Sequence, residues 1–137
     1  QQQLMAEDEK AYENDPKRLD DAKSLQQIYE KFELEKQFLA DYTSTNQTMR
    51  VYIQKMLTRL YAADDPTQID ATHNSKINSL GFPVYHMETA DGYRLYYTYT
   101  KTSAKPIHIL CHCIKSKEAV YFNKMKNSET FKKKFRN

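Results

Sequence analysis

Gly92-Tyr93-Arg94-Leu95-Tyr96-Tyr97-Thr98-Tyr99-Thr100-Lys101 reads as a β-strand with an arginine near its start and tyrosines on both faces. Successive strand residues point to opposite sides. Tyr93, Leu95, Tyr97 and Tyr99 therefore share one face, and Arg94, Tyr96, Thr98 and Thr100 the other. The leucine among tyrosines predicts that the first face is the more buried and that Arg94 and Tyr96 lie on the wetter one. Just before it, Ala90-Asp91-Gly92 carries the Asp-Gly pair that favours a tight hairpin. Alternation predicts further strands over 84–89, before that hairpin turn, and 107–114, reached from the arginine-bearing strand through the turn Ser103-Ala104-Lys105-Pro106. Short connections between consecutive strands predict an antiparallel meander. In the last strand Ile107, Ile109, Cys111 and Cys113 alternate with His108, Leu110, His112 and Ile114.

Upstream of Gly81-Phe82-Pro83 the period is helical. Asp15 can cap a helix whose first residue is Pro16. Leu19, Ala22, Leu25, Ile28, Tyr29, Phe32, Leu39 and Tyr42 then recur at three- and four-residue steps, which predicts one long amphipathic helix of about 25 residues. Its stripe suits either its own core or a homodimer seam through residues 16–42. Thr43-Ser44-Thr45-Asn46 breaks it. A second helix follows, with Met49, Tyr52, Ile53, Met56, Leu57, Leu60 and Tyr61 on one face, and ends at Asp64-Asp65-Pro66. The stretch from Thr67 to Ser79 has room for one short helix, and the tail for another around Phe131–Phe135. The polar residues 1–14 read as a frayed helix or an arm.

Two glycines in 137 residues argue against an all-β sandwich or barrel and exclude a glycine-rich phosphate loop. Residues 1–70 hold 9 basic and 14 acidic side chains, a balance of −5; residues 71–137 hold 12 and 4, a balance of +8. A basic half interleaved with aromatics favours a polyanionic partner, above all a nucleic acid. Cys111 and Cys113 lie two apart on a strand, where a disulfide between them would be badly strained. Reduced, buried thiols predict a cytoplasmic protein. There is no apolar run of membrane-spanning length. His108, Cys111, His112 and Cys113 invite a zinc reading, but no second ligand pair with the usual spacing accompanies them, so no metal site is expected. His86 and Glu88, on one face of the strand that precedes Arg94, are the acid–base candidates.

These motifs resemble those of the RelE/ParE toxin superfamily, and within it the RelE-like ribosome-dependent messenger-RNA interferases. The resemblance rests on Gly92-Tyr93-Arg94-Leu95 with Tyr97, on the strand Ile107–Ile114, and on Lys115-Ser116-Lys117-Glu118-Ala119-Val120-Tyr121. It covers about residues 47–125. It implies an α+β fold: a small antiparallel sheet of three to four strands packed against an N-terminal helical hairpin, here preceded by an extra long helix. It divides the chain into an acidic helical extension, 1–45, and a toxin domain, 46–137. It implies an endoribonuclease in which the RNA's own 2′-hydroxyl attacks, leaving a 2′,3′-cyclic phosphate and a 5′-hydroxyl without metal or cofactor. In that scheme Arg94 binds the scissile phosphate, Lys115 is a second cation, Tyr121 stacks on or orients the base, and His86 or Glu88 (or Lys76) moves the proton. Lys76, Lys117, Lys124, Lys126 and Tyr96 would meet RNA. The partners implied are messenger RNA, the ribosome, and an antitoxin or a fused or associated regulator. The family's paired lysines on the preceding strand are replaced here by Tyr85 and Met87, and its opening strand by the long helix. A non-catalytic RNA-binding module and a ParE-like toxin directed at DNA gyrase are the alternatives.

Overall fold

The computed structural model describes residues 9–69, 72–75, 83–89, 91–100 and 104–127. Lys76 and the tail helix expected around Phe131–Phe135 lie outside the described residues. A helical stretch over 9–13 leads to α1 (Pro16–Ile28), whose first turn is capped as expected: the Asp15 carboxylate accepts from the N–H groups of Lys17 (3.1 Å) and Arg18 (3.3 Å). The expected 25-residue helix is not one helix. It ends at Ile28, a strand β1 follows at Phe32–Leu34, and a new helix α2 spans Lys36–Ser44. Phe32 and Leu34 satisfy both a three-to-four-residue period and an alternating one, and tertiary pairing decides between them. Phe32 and Leu34 stand in parallel register with Ile107 and Ile109, and Glu35 N–H donates to the Ile109 carbonyl (3.0 Å). The side chain of Gln26 helps to close the break by donating to the carbonyl of Phe32 (3.0 Å).

Helix α3 (Gln47–Ala62) is capped by Asn46, which accepts from Met49 N–H (2.8 Å). It buries Ile53, Leu57 and Leu60. Tyr52, expected on that stripe, is exposed instead, with the Lys55 ammonium 5.8 Å from its ring centre. Asp65 then caps a short 3₁₀ turn, Pro66–Gln68, and a strand, β2, follows at His73–Ser75, within the stretch that had room for one short helix; residues 76–79 of that stretch lie outside the described residues. Strands β3 (Val84–Glu88), β4 (Tyr93–Tyr99) and β5 (Ile107–Ile114) complete a five-stranded sheet of order β1-β5-β4-β3-β2. Every pairing is antiparallel except β1 with β5. The sheet is therefore mixed, and larger than the three or four antiparallel strands expected. The β3–β4 hairpin turns at Asp91 (φ 54°) and Gly92 (φ 80°), the left-handed conformation that the Asp-Gly pair tolerates. A 3₁₀ turn, Lys115–Lys117, leads from β5 into α4 (Glu118–Lys126).

The sheet is covered on both faces. Met87, Leu95, Tyr97, Ile107 and Ile109 pack with Phe38 of α2 and with Ile53, Leu57 and Leu60 of α3. On the other face Val84, Tyr96, Leu110, Cys111 and Cys113 pack against Phe122 and Met125 of α4. The expectation of one wet face thus fails at Tyr96, whose exposure is 0% because α4 lies over it. Strict alternation fails in β5 for a related reason. Tyr96 pairs with Cys111 but Tyr97 with Ile109, so Leu110 is an extra residue and both cysteines move to the face opposite Ile107 and Ile109. Both cysteines are buried and unbridged.

The boundary expected at residue 45 runs through this core, because β1 and α2 supply Phe32, Leu34, Phe38 and Tyr42 to the same cluster as α3. The stripe on residues 16–42 is likewise mostly spent on that cluster, through Leu25, Tyr29, Phe32 and Tyr42; Leu19 and Ile28 remain exposed. Among the described residues no helix is long and apolar enough to cross a membrane.

Candidate functional site

The β3–β4 hairpin puts Glu88 directly opposite Arg94 and His86 opposite Tyr96. Directly opposed residues share a face, so all four side chains lie on the α4 side of the sheet. An Arg94 guanidinium nitrogen is 3.5 Å from a Glu88 carboxylate oxygen; the arginine side chain is 17% exposed and the glutamate 68%. The Tyr96 hydroxyl donates a short hydrogen bond to Glu118, the first residue of α4. Burial, and then that bond, push the Tyr96 phenol far above its ordinary range, so it stays protonated and donating. The ring of His86 lies 5.8 Å from that of Tyr96 and 5.4 Å from that of His73. Burial first, then the Arg94 and His73 charges, lower the His86 imidazole to about 4, so it is neutral at pH 7.

Lys115 joins this end of the sheet through its backbone. Its N–H donates to the carbonyl of Gly92 (3.2 Å), two residues before Arg94, so the exposed Lys115–Lys117 turn sits beside the hairpin. Arg94, Glu88 and His86 are thus brought together, with the Lys115–Lys117 turn at their margin. Tyr121 is directed elsewhere. Its hydroxyl donates to Asp41 (3.3 Å), and it lines a cleft of about 360 Å³ with Asp41, Tyr93 and His112. Tyr93 precedes Arg94 on β4 and so faces the other side of the sheet. Tyr96 is enclosed in the core and offers no surface to RNA. Lys126 is exposed, and Lys124 is ion-paired with Glu9 (2.9 Å).

Three residues of these surroundings were not singled out from the sequence. Glu118 fixes the start of α4 to Tyr96. Glu9 reaches Lys124 from the other end of the chain. Asp41, buried on α2, accepts from the side chain of Gln37 (2.9 Å) and from His112 N–H (2.9 Å), a strand donor beyond the point where β1 stops pairing.

His112 lies on the face packed by α2 and α3, opposite Leu95, stacked on Tyr93 with ring centres 5.1 Å apart, and its Nε2 is 2.8 Å from the Thr89 hydroxyl oxygen. Burial lowers it to about 4. Both His86 and His112 therefore bind fewer protons when folded than when unfolded, between their folded value and the ordinary value near 6.5. Stability should be complete above pH 6.5 and fall as pH drops towards 4, by roughly 3 kcal/mol per ring. Urea midpoints by circular dichroism at pH 7, 5.5 and 4.5 measure this. The decline should be visibly shallower in His112→Gln, and an unchanged slope in that variant would contradict the assignment.

Among the described residues no three His, Cys, Asp or Glu side chains are grouped closely enough to hold a metal ion. No protein-family model, curated protein or solved structure matches the chain.

Proposed function

We propose that the chain is a RelE-like endoribonuclease that cleaves messenger RNA, and that its working surface is the Arg94 end of the α4-covered sheet face. The observation that carries this reading is the grouping of a largely shielded guanidinium, an exposed carboxylate 3.5 Å away and a lysine-bearing turn at one hairpin. The order of elements supports it too: after α1 come a short strand, two helices and an antiparallel meander, so that β1 stands where the family's opening strand was expected to be missing.

In this mechanism Arg94 holds two non-bridging oxygens of the scissile phosphate through its planar fork and stabilises the charge that grows on them. Glu88 accepts the proton of the 2′-hydroxyl as that oxygen attacks phosphorus. The bond to the 5′-oxygen breaks, the leaving oxygen takes a proton from the Lys115 ammonium, and the products are a 2′,3′-cyclic phosphate and a 5′-hydroxyl. His86, neutral and buried, packs beneath the reacting groups and moves no proton. Tyr121 stands outside the reacting set because Asp41 engages its hydroxyl. The decoding site of a translating ribosome supplies the messenger in an extended form, and an antitoxin or attached regulator covers the cations.

The engagement of Tyr121 by Asp41 favours a second reading, a module that binds RNA on the same cations without cutting it. One experiment separates the two. End-labelled messenger RNA is incubated with the purified chain, with and without programmed ribosomes, and both binding and the chemistry of new ends are measured. The enzyme reading predicts 2′,3′-cyclic phosphate ends in at least one condition; tight binding with intact RNA in both supports the module.

A further inference from the structure

Residues 1–15 carry five acidic side chains and one lysine, and the described part of this segment is docked on the body of the protein. Tyr12 is buried against Ala22 and Ala40, with the Arg18 guanidinium 5.8 Å from its ring centre. Glu13 pairs with Lys36 of α2 (2.7 Å). Glu9, one helical turn before Glu13 and three residues before Tyr12, meets Lys124 of α4 at 2.9 Å, with side chains 24% and 25% exposed. Both ends of this pair are anchored by neighbours, Tyr12 on one side and the buried Met125 on the other. The usual entropic cost of aligning two free side chains is therefore reduced. Lys124 belongs to the basic half of the chain, and Glu9 to the acidic half.

We infer that the N-terminal segment is a built-in competitor for RNA: the Glu9 carboxylate occupies Lys124 as a phosphate would, and Lys124 joins the RNA-binding surface only when Glu9 releases it. This rests on the RNA-binding reading above. An ammonium can neutralise one phosphate, and each phosphate neutralised on single-stranded RNA adds about 0.7 to the steepness with which affinity falls with salt. Freeing Lys124 therefore has a signature in slope as well as in strength.

The full chain is titrated with a uridine 20-mer between 50 and 300 mM salt. Glu9→Gln should bind roughly threefold to tenfold more tightly at the lowest salt, with a log–log salt slope steeper by about 0.7. Glu9→Lys should gain more. In a Lys124→Gln background Glu9→Gln should not steepen the slope, because the cation it frees is gone, whereas Glu9→Lys carries its own cation and serves only as a positive control. Matching thermal midpoints show that the folds are intact. A Glu9→Gln chain that follows the parent at every salt, while the parent binds RNA, overturns the competition and leaves the RNA reading standing. A Glu9→Gln slope change that survives without Lys124 also overturns it. If neither parent nor variants bind RNA at any salt, the functional reading itself falls, and the competition with it.

Discussion

Arg94→Ala is expected to lower the rate of the proposed RNA cleavage by on the order of a hundredfold or more while leaving the protein folded. Removing one preorganised donor from an anionic transition state costs about 3 kcal/mol, which corresponds to that loss. The fold survives because the only ion pair Arg94 makes among the described residues is with Glu88, which is 68% exposed, and such half-exposed pairs contribute little to stability. The guanidinium lies on the same face as the Tyr96 hydroxyl, whose hydrogen bond goes to Glu118, so a decrease of no more than about 1 kcal/mol in unfolding free energy is expected. Arg94→Lys retains the charge but loses the planar fork, and should fall between parent and alanine variant. Single-turnover rates on the RNA that the parent cleaves best, beside urea unfolding of each variant, measure both sides. A rate within threefold of the parent would remove Arg94 from the mechanism.

Tyr96→Ala has the largest expected effect on stability, about 4 kcal/mol. The ring is fully buried, edge-on to Phe122 with centres 5.1 Å apart, and its hydroxyl anchors the first residue of α4. Truncation opens a cavity between sheet and helix and leaves the Glu118 carboxylate without its phenolic donor. Tyr96→Phe isolates the second term and should cost roughly 1–2 kcal/mol. Because Tyr96 and Phe122 touch, Tyr96→Ala combined with Phe122→Ala should destabilise less than the sum of the two. Urea unfolding of the parent, of Tyr96→Ala, Tyr96→Phe and Phe122→Ala, and of the double variant tests this. A Tyr96→Ala chain within 1 kcal/mol of the parent that had lost RNA affinity would return Tyr96 to the surface role its strand position first suggested.

That reversal shows what the sequence could and could not reveal. Features governed by neighbours in the chain were legible: the Asp15-Pro16 helix start, the stop at Ala62 before Asp64-Asp65-Pro66, and the left-handed Asp91-Gly92 turn. So was the meander of three strands after residue 83. Features that depend on partners far along the chain were not. Phe32 and Leu34 fit a helical stripe as well as a strand, and only pairing with Ile107 and Ile109 selects the strand. The extra residue at Leu110 inverts the two cysteines, yet nothing in Ile107–Ile114 marks where alternation will slip.

The site divides along the same line. Arg94, His86 and Glu88 share a face because strand geometry requires it once the hairpin is in register. Lys115 follows because β5 ends beside Gly92. Tyr121 was joined to Arg94 by motif spacing, but the direction of its side chain depends on where α4 lies over the sheet, and Asp41 takes its hydroxyl. Glu118 and Glu9 act through contacts with Tyr96 and Lys124 that no local pattern announces.

The most direct measurement is the sequencing of transcript ends after brief expression of the parent chain and of Arg94→Ala in bacterial cells. The account predicts new 5′-hydroxyl ends inside translated reading frames with the parent, and their near-absence with Arg94→Ala at equal protein level. The same ends at the same frequency in both, or no new ends with the parent, would contradict it.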